Sequence, residues 1–244
     1  MDRRPEGRAA PRRVMSLTED LAARVARDVP DTGYPAYDGM TKLADDDYPV
    51  EARRLLAENP GAPLWVFGYG SLIWKPAFDY VEARRVVAHG WRRMYILDLD
   101  YWRATPDQPG LMLALEPKGS CVGVAYRMPD DNIEARMIQF VRREAAYRED
   151  LASIRWITVR SATETFRALV SWAASRGDPS FIYLPLAEQA KRLARAVGHL
   201  GSCAEYLRNT VMHLEELGIR DRYMWQMQHL VAEEIKALHP RDGD

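Results

Sequence analysis

The chain has 244 residues, 47% hydrophobic and 28% charged, with a formal net charge of -1. Those values suit one sizeable soluble domain with an appendage and give no overall field that would favour nucleic acid or an anionic membrane. Two cysteines, Cys121 and Cys203, lie far apart without a CxxC, and no apolar run approaches the length of a membrane span. A disulfide framework, a zinc knuckle and a membrane span are therefore excluded, and a reducing, cytoplasmic location is expected.

In chain order, residues 1–14, "MDRRPEGRAAPRRV", are rich in arginine and proline and have no apolar stretch, so they read as a disordered basic tail. Ser16 and Glu19 have capping-box spacing, with Leu21, Val25 and Val29 following, which predicts a helix from about Leu17 to Asp28, ended by Pro30. "PDTGYPAYDGM" is loop by composition, and "YPVEARRLLAE" predicts a second helix stopped by Asn59, Pro60 and Gly61. The acidic triple Asp45, Asp46 and Asp47 suits capping of that helix. Residues 15–63 thus read as an N-terminal helical extension, and 64–239 as the main domain.

From Leu64 the pattern changes to short apolar runs. "LWVFG", "RRVVAHGW", "RMYILDLD", "LMLALEP", "CVGVAYRM", "IRWITVRS" and "TFRALVSWA" are each bounded by Gly, Pro or charge, as strands are. A helix is expected in "DDNIEARMIQFVRREAAY", with Asp130 or Asp131 as cap and Ile133, Met137, Phe140 and Val141 on one face. Three more helices are expected after Pro185. A strand-rich middle with helices at one end is an α+β arrangement, a curled sheet or partial barrel.

The segment Val66-Phe67-Gly68-Tyr69-Gly70-Ser71-Leu72 runs from a buried strand into glycines. It fails the dinucleotide fingerprint because Ile73 stands where a third glycine is needed. It also fails the P-loop, for want of a lysine, and the GxSxG nucleophile elbow. Two readings remain level: a tight turn that needs positive φ at a glycine, and a nest of N–H groups at Gly70, Ser71 and Leu72 that meets an anion. Glu144, after Arg142 and Arg143, sits at a predicted helix C-terminus, where the macrodipole is unfavourable to an anion. On the residues alone, a solvated glutamate paired with an arginine is the favoured account of it. The five histidines show no HxxxH or HxxE spacing, so no metal site is expected.

Four separated blocks together resemble the ChaC family of glutathione-specific γ-glutamylcyclotransferases: "WVFGYGSLIW", "RATPDQPGLMLALEPKGSCVGVAYRM", "RRE", and Gly198 to Leu207 as "GxxGxxxEYL". The resemblance implies a γ-glutamylcyclotransferase-like fold, a barrel-like mixed sheet with surrounding helices. It implies cleavage of glutathione, a small-molecule substrate, to 5-oxoproline and Cys-Gly without metal or organic cofactor. Carried over by motif, Glu144 is the catalytic general acid and base, and Val66 to Leu72 is the substrate loop. Arg103 and Tyr206 are further substrate contacts, with Arg103 assigned to the glycine-end carboxylate. Other γ-glutamyl peptides or amines, or a catalytically silent binding module, are the alternatives. The sequence departs from the family pattern at Ala104, where a glycine is usual, and at Ala145-Ala146-Tyr147 after the catalytic position, where many relatives carry glycine.

Overall fold

The computed structural model describes residues 13–241 except 62, 77 and 176, so the predicted basic tail lies, but for Arg13 and Val14, outside the described residues. In chain order the elements are α1 (Glu19–Arg24), α2 (Asp47–Ala57), β1 (Trp65–Gly68), β2 (Glu82–Leu99), β3 (Gly110–Arg127), α3 (Ile133–Glu144), β4 (Arg155–Arg160), β5 (Thr165–Val170), α4 (Leu186–Arg195), β6 (Val197–Gly198), β7 (Gly201–Ser202), α5 (Cys203–Glu216) and α6 (Arg222–Leu238). They divide into two compact units. A barrel unit comprises Thr32–Asp98 and Met112–Tyr183; a helical unit comprises the described residues up to Asp31, Leu99–Leu111, and those from Leu184 onward.

In the barrel unit the sheet closes in the order β1-β3-β2-β4-β5. β1 runs antiparallel to β3, with Phe67 opposite Ala125, and parallel to β5, with Val66 opposite Leu169. Every residue of β1 is buried, which is why it reads as an unbroken apolar run rather than an alternating one. The α+β expectation holds, and the expected curled sheet or partial barrel is a fully closed one. The strand count changes, because four predicted strands merge into two of 18 residues each. Gly119, which separates two of the expected runs, and Gly90, which lies inside "RRVVAHGW", both adopt positive φ within continuous strands, and a Cβ at Gly90 would meet open space. Glycine there bends a strand without ending it.

α3 places its apolar stripe, Met137, Phe140 and Val141, in a core cluster with Tyr48, Ala52 and Leu55 of α2. Each large side chain so buried contributes about 1.5–3 kcal/mol. The predicted Asp cap of α3 is corrected: Asn132, at φ 52, is the N-cap and makes no side-chain cap bond. Asp46, N-cap of α2, makes none either. Its neighbours Asp45 and Asp47 pair instead with Arg142 at 2.6 Å and Arg148 at 2.9 Å.

In the helical unit, α1 is shorter than predicted. Its N-cap is Thr18, whose hydroxyl accepts from the Leu21 amide, while the Ser16 hydroxyl meets Nδ1 of His229. A Thr two residues closer to the apolar residues competes for the cap and wins. The three later helices stand where periodicity put them. Ser202 caps α5 by accepting from Glu205 N, and Asp221 caps α6 by accepting from Met224 N. The two-residue strands β6 and β7 were not predicted, since a pair so short leaves no period to detect.

Candidate active site

β1 ends at Gly68 and hands the chain to Tyr69 and Gly70, after which Ser71–Ile73 form a single 3-10 turn. Gly68 is required by packing: a Cβ there would stand 3.0 Å from the Tyr126 ring and 3.1 Å from Leu72 Cβ. Gly70 has φ -132, and neither glycine takes positive φ, so the left-handed tight-turn reading is corrected. The first bond within the turn runs from Ile73 N–H to Gly70 O at 3.0 Å. The amides of Ser71 and Leu72 therefore lie ahead of it, at the turn's positive end. Val66 and Phe67 are fully buried and serve as the strand that delivers the loop.

Two buried polar side chains fix the root of this loop. Arg93 donates through Nη1 to Tyr69 O at 2.7 Å and through Nη2 to Val122 O. The Tyr69 hydroxyl donates to Ser171 O at 3.1 Å, so this predicted substrate contact is directed at the backbone just beyond β5.

Ser171 also meets Glu144. Its hydroxyl donates to Glu144 Oε2 at 2.7 Å, and Glu144 Oε1 lies 3.2 Å from Arg143 Nη1. The Glu144 side chain is 9% exposed. The arginine partner expected for it is present, but solvation is not. Beyond Glu144 the chain turns without glycine. Asp150 Oδ2 accepts from the amides of Ala146 and Tyr147, each at 2.9 Å, and none of Ala145, Ala146 and Tyr147 adopts positive φ. Burial holds the Asp150 carboxyl above the ordinary carboxylate range, partly offset by those two amide bonds.

Arg103 and Tyr206 belong to the helical unit. Arg103 Nη1 donates to Ser202 O at 3.0 Å and to Glu205 Oε2 at 3.1 Å, and its guanidinium lies 5.5 Å from the Tyr206 ring centre. The glycines of this block have separate causes. A Cβ on Gly198 would meet Trp102 O at 2.3 Å, and Gly201 sits at φ 96 in the tight hairpin. Cys203 is sealed beneath, its thiol pushed up to about 11 by burial, which makes it an inert packing group. Ala104 is buried, and its methyl packs where a Cβ on Gly110 would come within 3.3 Å.

Elsewhere on the barrel unit a cleft of about 330 Å³ is lined by Trp65, Arg84, Phe166 and Arg167, among others, and by none of the predicted site residues. Arg84 pairs there with Glu82 and Glu164, and its guanidinium lies over both aromatic rings. Of the cleft's other arginines, Arg127 pairs with Asp130 at 2.5 Å and Arg167 donates to Glu58 O. Among the described residues no cluster of three or more His, Cys, Asp and Glu has the arrangement of a metal site.

A family model described as ChaC-like protein matches residues 64–234. The chain belongs to the ChaC-like family. Among curated relatives, "Glutathione-specific gamma-glutamylcyclotransferase" of Escherichia coli K12 is 35% identical over 171 residues, 70% of this chain and 73% of that one. "Gamma-glutamylcyclotransferase 2-3" of Arabidopsis thaliana is 31% identical across 70% of this chain and 91% of its own length. A crystal structure of a yeast γ-glutamyl cyclotransferase specific to glutathione superposes with a TM-score of 0.63 at 20% identity, over 71% of this chain and 97% of that one. That likeness shows the fold, a mixed α+β fold with a closed barrel.

Within this ChaC-like chain, sequence reasoning missed Ser171, Arg93 and Asp150. Arg93 carried a readable signal: Tyr95 and Leu97 point inward, and a period of two puts Arg93 on their face. Ser171 is only the first polar residue after an apolar strand, which is no signal by itself.

Proposed function

We propose that this chain is a glutathione-specific γ-glutamylcyclotransferase, with Glu144 as the group that moves protons. The reading is carried by one observation: a nearly buried carboxylate, bonded to Ser171, in the same unit as a glycine loop whose Tyr69 is bonded to that residue's backbone. The curated relatives at up to 35% identity supply the substrate class.

The reaction is an intramolecular aminolysis. The α-amine nitrogen of the γ-glutamyl unit bonds to its own γ-carbonyl carbon, the amide bond to cysteine breaks, and 5-oxoproline and Cys-Gly separate without water being consumed. The attacking nitrogen must be the neutral amine, and a free α-amine has a pKa of roughly 8. Glu144 takes the proton released as the ring closes and returns it to the departing cysteine nitrogen. General acid–base work of this kind is worth about 10²–10⁴-fold. Holding the glutamyl unit in its ring-closing conformer supplies more, up to ~7–11 kcal/mol in favourable cases.

The amides of Gly70, Ser71 and Leu72 are assigned to the substrate α-carboxylate, which sets the amine against Glu144. Arg103 and Tyr206 are kept as substrate contacts on the strength of the resemblance. Nη2 and Nε of Arg103 are the donors assigned to the glycine-end carboxylate, since Nη1 serves Ser202 and Glu205. We assign the reaction to the cytoplasm, in keeping with two buried thiols that form no disulfide.

The test is release of 5-oxoproline and Cys-Gly from reduced glutathione by wild type and Glu144→Gln. Turnover is expected to fall about 10²–10⁴-fold in the variant while glutathione still binds; near-normal cyclisation by Glu144→Gln would falsify the assignment. A broader γ-glutamyl substrate range is the second reading, favoured by the Arabidopsis relative, whose name carries no glutathione restriction. Equal rates on γ-glutamyl-alanine would establish it.

A further inference from the structure

Besides Asp150, the residues that hold the chain just beyond Glu144 come from outside the family match, which begins at residue 64. They gather on Tyr147. It is buried, its hydroxyl donates to Pro35 O, and its ring lies 5.5 Å from that of Tyr34 and 5.6 Å from that of Tyr37. A short antiparallel bridge joins Tyr147 to Lys42, with Leu43 N donating to Ala146 O at 2.9 Å and Arg148 N donating to Thr41 O at 2.8 Å. The Glu149 carboxylate accepts from Thr41 N at 2.9 Å, a bond that holds it below the ordinary carboxylate range. On the other side of Glu144, Arg142 pairs with Asp45 and lies over the Tyr48 ring at 4.2 Å. Both flanks of the reacting carboxylate are thus tied to one segment.

We propose that the segment from Tyr34 to Tyr48 is a positioning element for the reaction, a strap that grips residues 142–149 and so fixes where the Glu144 carboxylate stands. This rests on the reading of Glu144 as the proton-transfer group. The strap is a positioning element and not part of the catalytic set, because its bonds fall on the neighbours of Glu144: Arg142, Ala146, Tyr147, Arg148 and Glu149. Its exposed ion pairs contribute little, about 0–1 kcal/mol each. The paired backbone amides and the buried tyrosine do most of the holding. The physical need is clear from the sequence. Glu144 is the last residue of α3, where a helix frays and where a following glycine turn would leave the carboxylate loosely placed. Here alanines replace that glycine, and the strap with Asp150 clamps the turn. A displacement of 1 Å at such a group can cost about 10²-fold in rate, so precision there reaches the chemistry directly.

The test uses the full chain. Tyr147→Phe removes the bond to Pro35 and keeps the ring; a second variant, Tyr34→Ser with Tyr37→Ser, removes the ring contacts from the strap side. Each is assayed for 5-oxoproline release from glutathione, alone and combined with Glu144→Gln, with the folded fraction followed by circular dichroism. The expected result is a roughly tenfold lower kcat in the folded protein with KM within about twofold, the pattern of a lost transition-state interaction. In the Glu144→Gln background the same changes should lower the residual rate no further. Unchanged kcat in both folded variants overturns the proposal, as does an equal added loss on top of Glu144→Gln. Full activity of Glu144→Gln alone overturns the reading of Glu144 itself, and the strap's role with it. If the double serine variant does not fold, Tyr147→Phe decides.

Discussion

Glu144 and Glu205 each stand in a signature block, each lie near an arginine, and differ in everything around the pair. Glu205 is 48% exposed and occupies the first turn of α5, where the helix dipole welcomes an anion. Its partner Arg103 is also bonded to Ser202 O and lies over Tyr206, and a Cβ on Gly201 would stand 2.3 Å from its carboxylate oxygen. Glu144 is 9% exposed, at the last turn of α3, where the same dipole opposes an anion, and a neutral hydroxyl is among its partners. Glu205 is exposed and secures a hairpin. Glu144, the group proposed to move the proton, is nearly buried and held by surrounding structure. Motif membership does not separate the two; burial and helix polarity do.

The contrast is tested first by exchanging charge for amide at each site. Glu144→Gln should lower kcat by about 10²–10⁴-fold, and Glu205→Gln by less than about fivefold, both read as 5-oxoproline release. Comparable losses at both sites would erase the distinction. The loop comes next. Gly70→Val should raise KM for glutathione by more than about tenfold, whereas Ser71→Ala should stay within about threefold, because backbone amides and not the hydroxyl are assigned to the substrate. The reverse order would transfer that task to the Ser71 side chain. Ser171→Ala should lower kcat about tenfold with little change in KM, since one hydrogen bond to a charged group is worth roughly 1.5–3 kcal/mol and part of it is replaced on relaxation.

The smallest effects concern a third carboxylate, Asp150, which supports the turn without entering the chemistry. Asp150→Ala leaves two amides without their acceptor and should cost about 1–3 kcal/mol in urea unfolding. Burial raises the folded-state pKa of Asp150, so the folded chain binds that proton more tightly than the unfolded one. Its contribution to stability is full below the ordinary aspartate value of about 3.9 and is lost as pH rises through the raised folded value. Asp150→Asn, which keeps an acceptor and has no charge, should remove that slope from the urea midpoints. A slope of unchanged size would place the titration elsewhere.

Much of the barrel was legible in the amino-acid order because β1, β4 and β5 are apolar runs with clear stops, and α3 to α6 show strong helical periods. Gly119 and the charged Arg92 misled, because a glycine or a charge within a long strand and one that ends it look alike without the partner strand. Glu144 was locatable only through its motif; the hydroxyl that meets it comes from Ser171, remote in sequence. Arg93 was readable from alternation, whereas the bond from Ser171 to Glu144 spans 27 positions and leaves no local trace. The merely solvated glutamate was the sound reading of the local residues, and it failed because burial is a long-range property.

The parallel pairing of β1 with β5 that closes the barrel has a consequence in time as well as in space. Val66 and Leu169 must find each other across a long stretch of intervening chain, the kind of non-local contact whose loop-closure entropy slows folding. Tyr69 and Ser171 lie just beyond those two strands, and their bond forms only when the seam shuts. Hairpins and helices can form earlier, but the loop root and the carboxylate's partner come together at that last step. During refolding, enzymatic activity should therefore return with the slowest structural phase, and a chain with an open seam would be largely folded and inert.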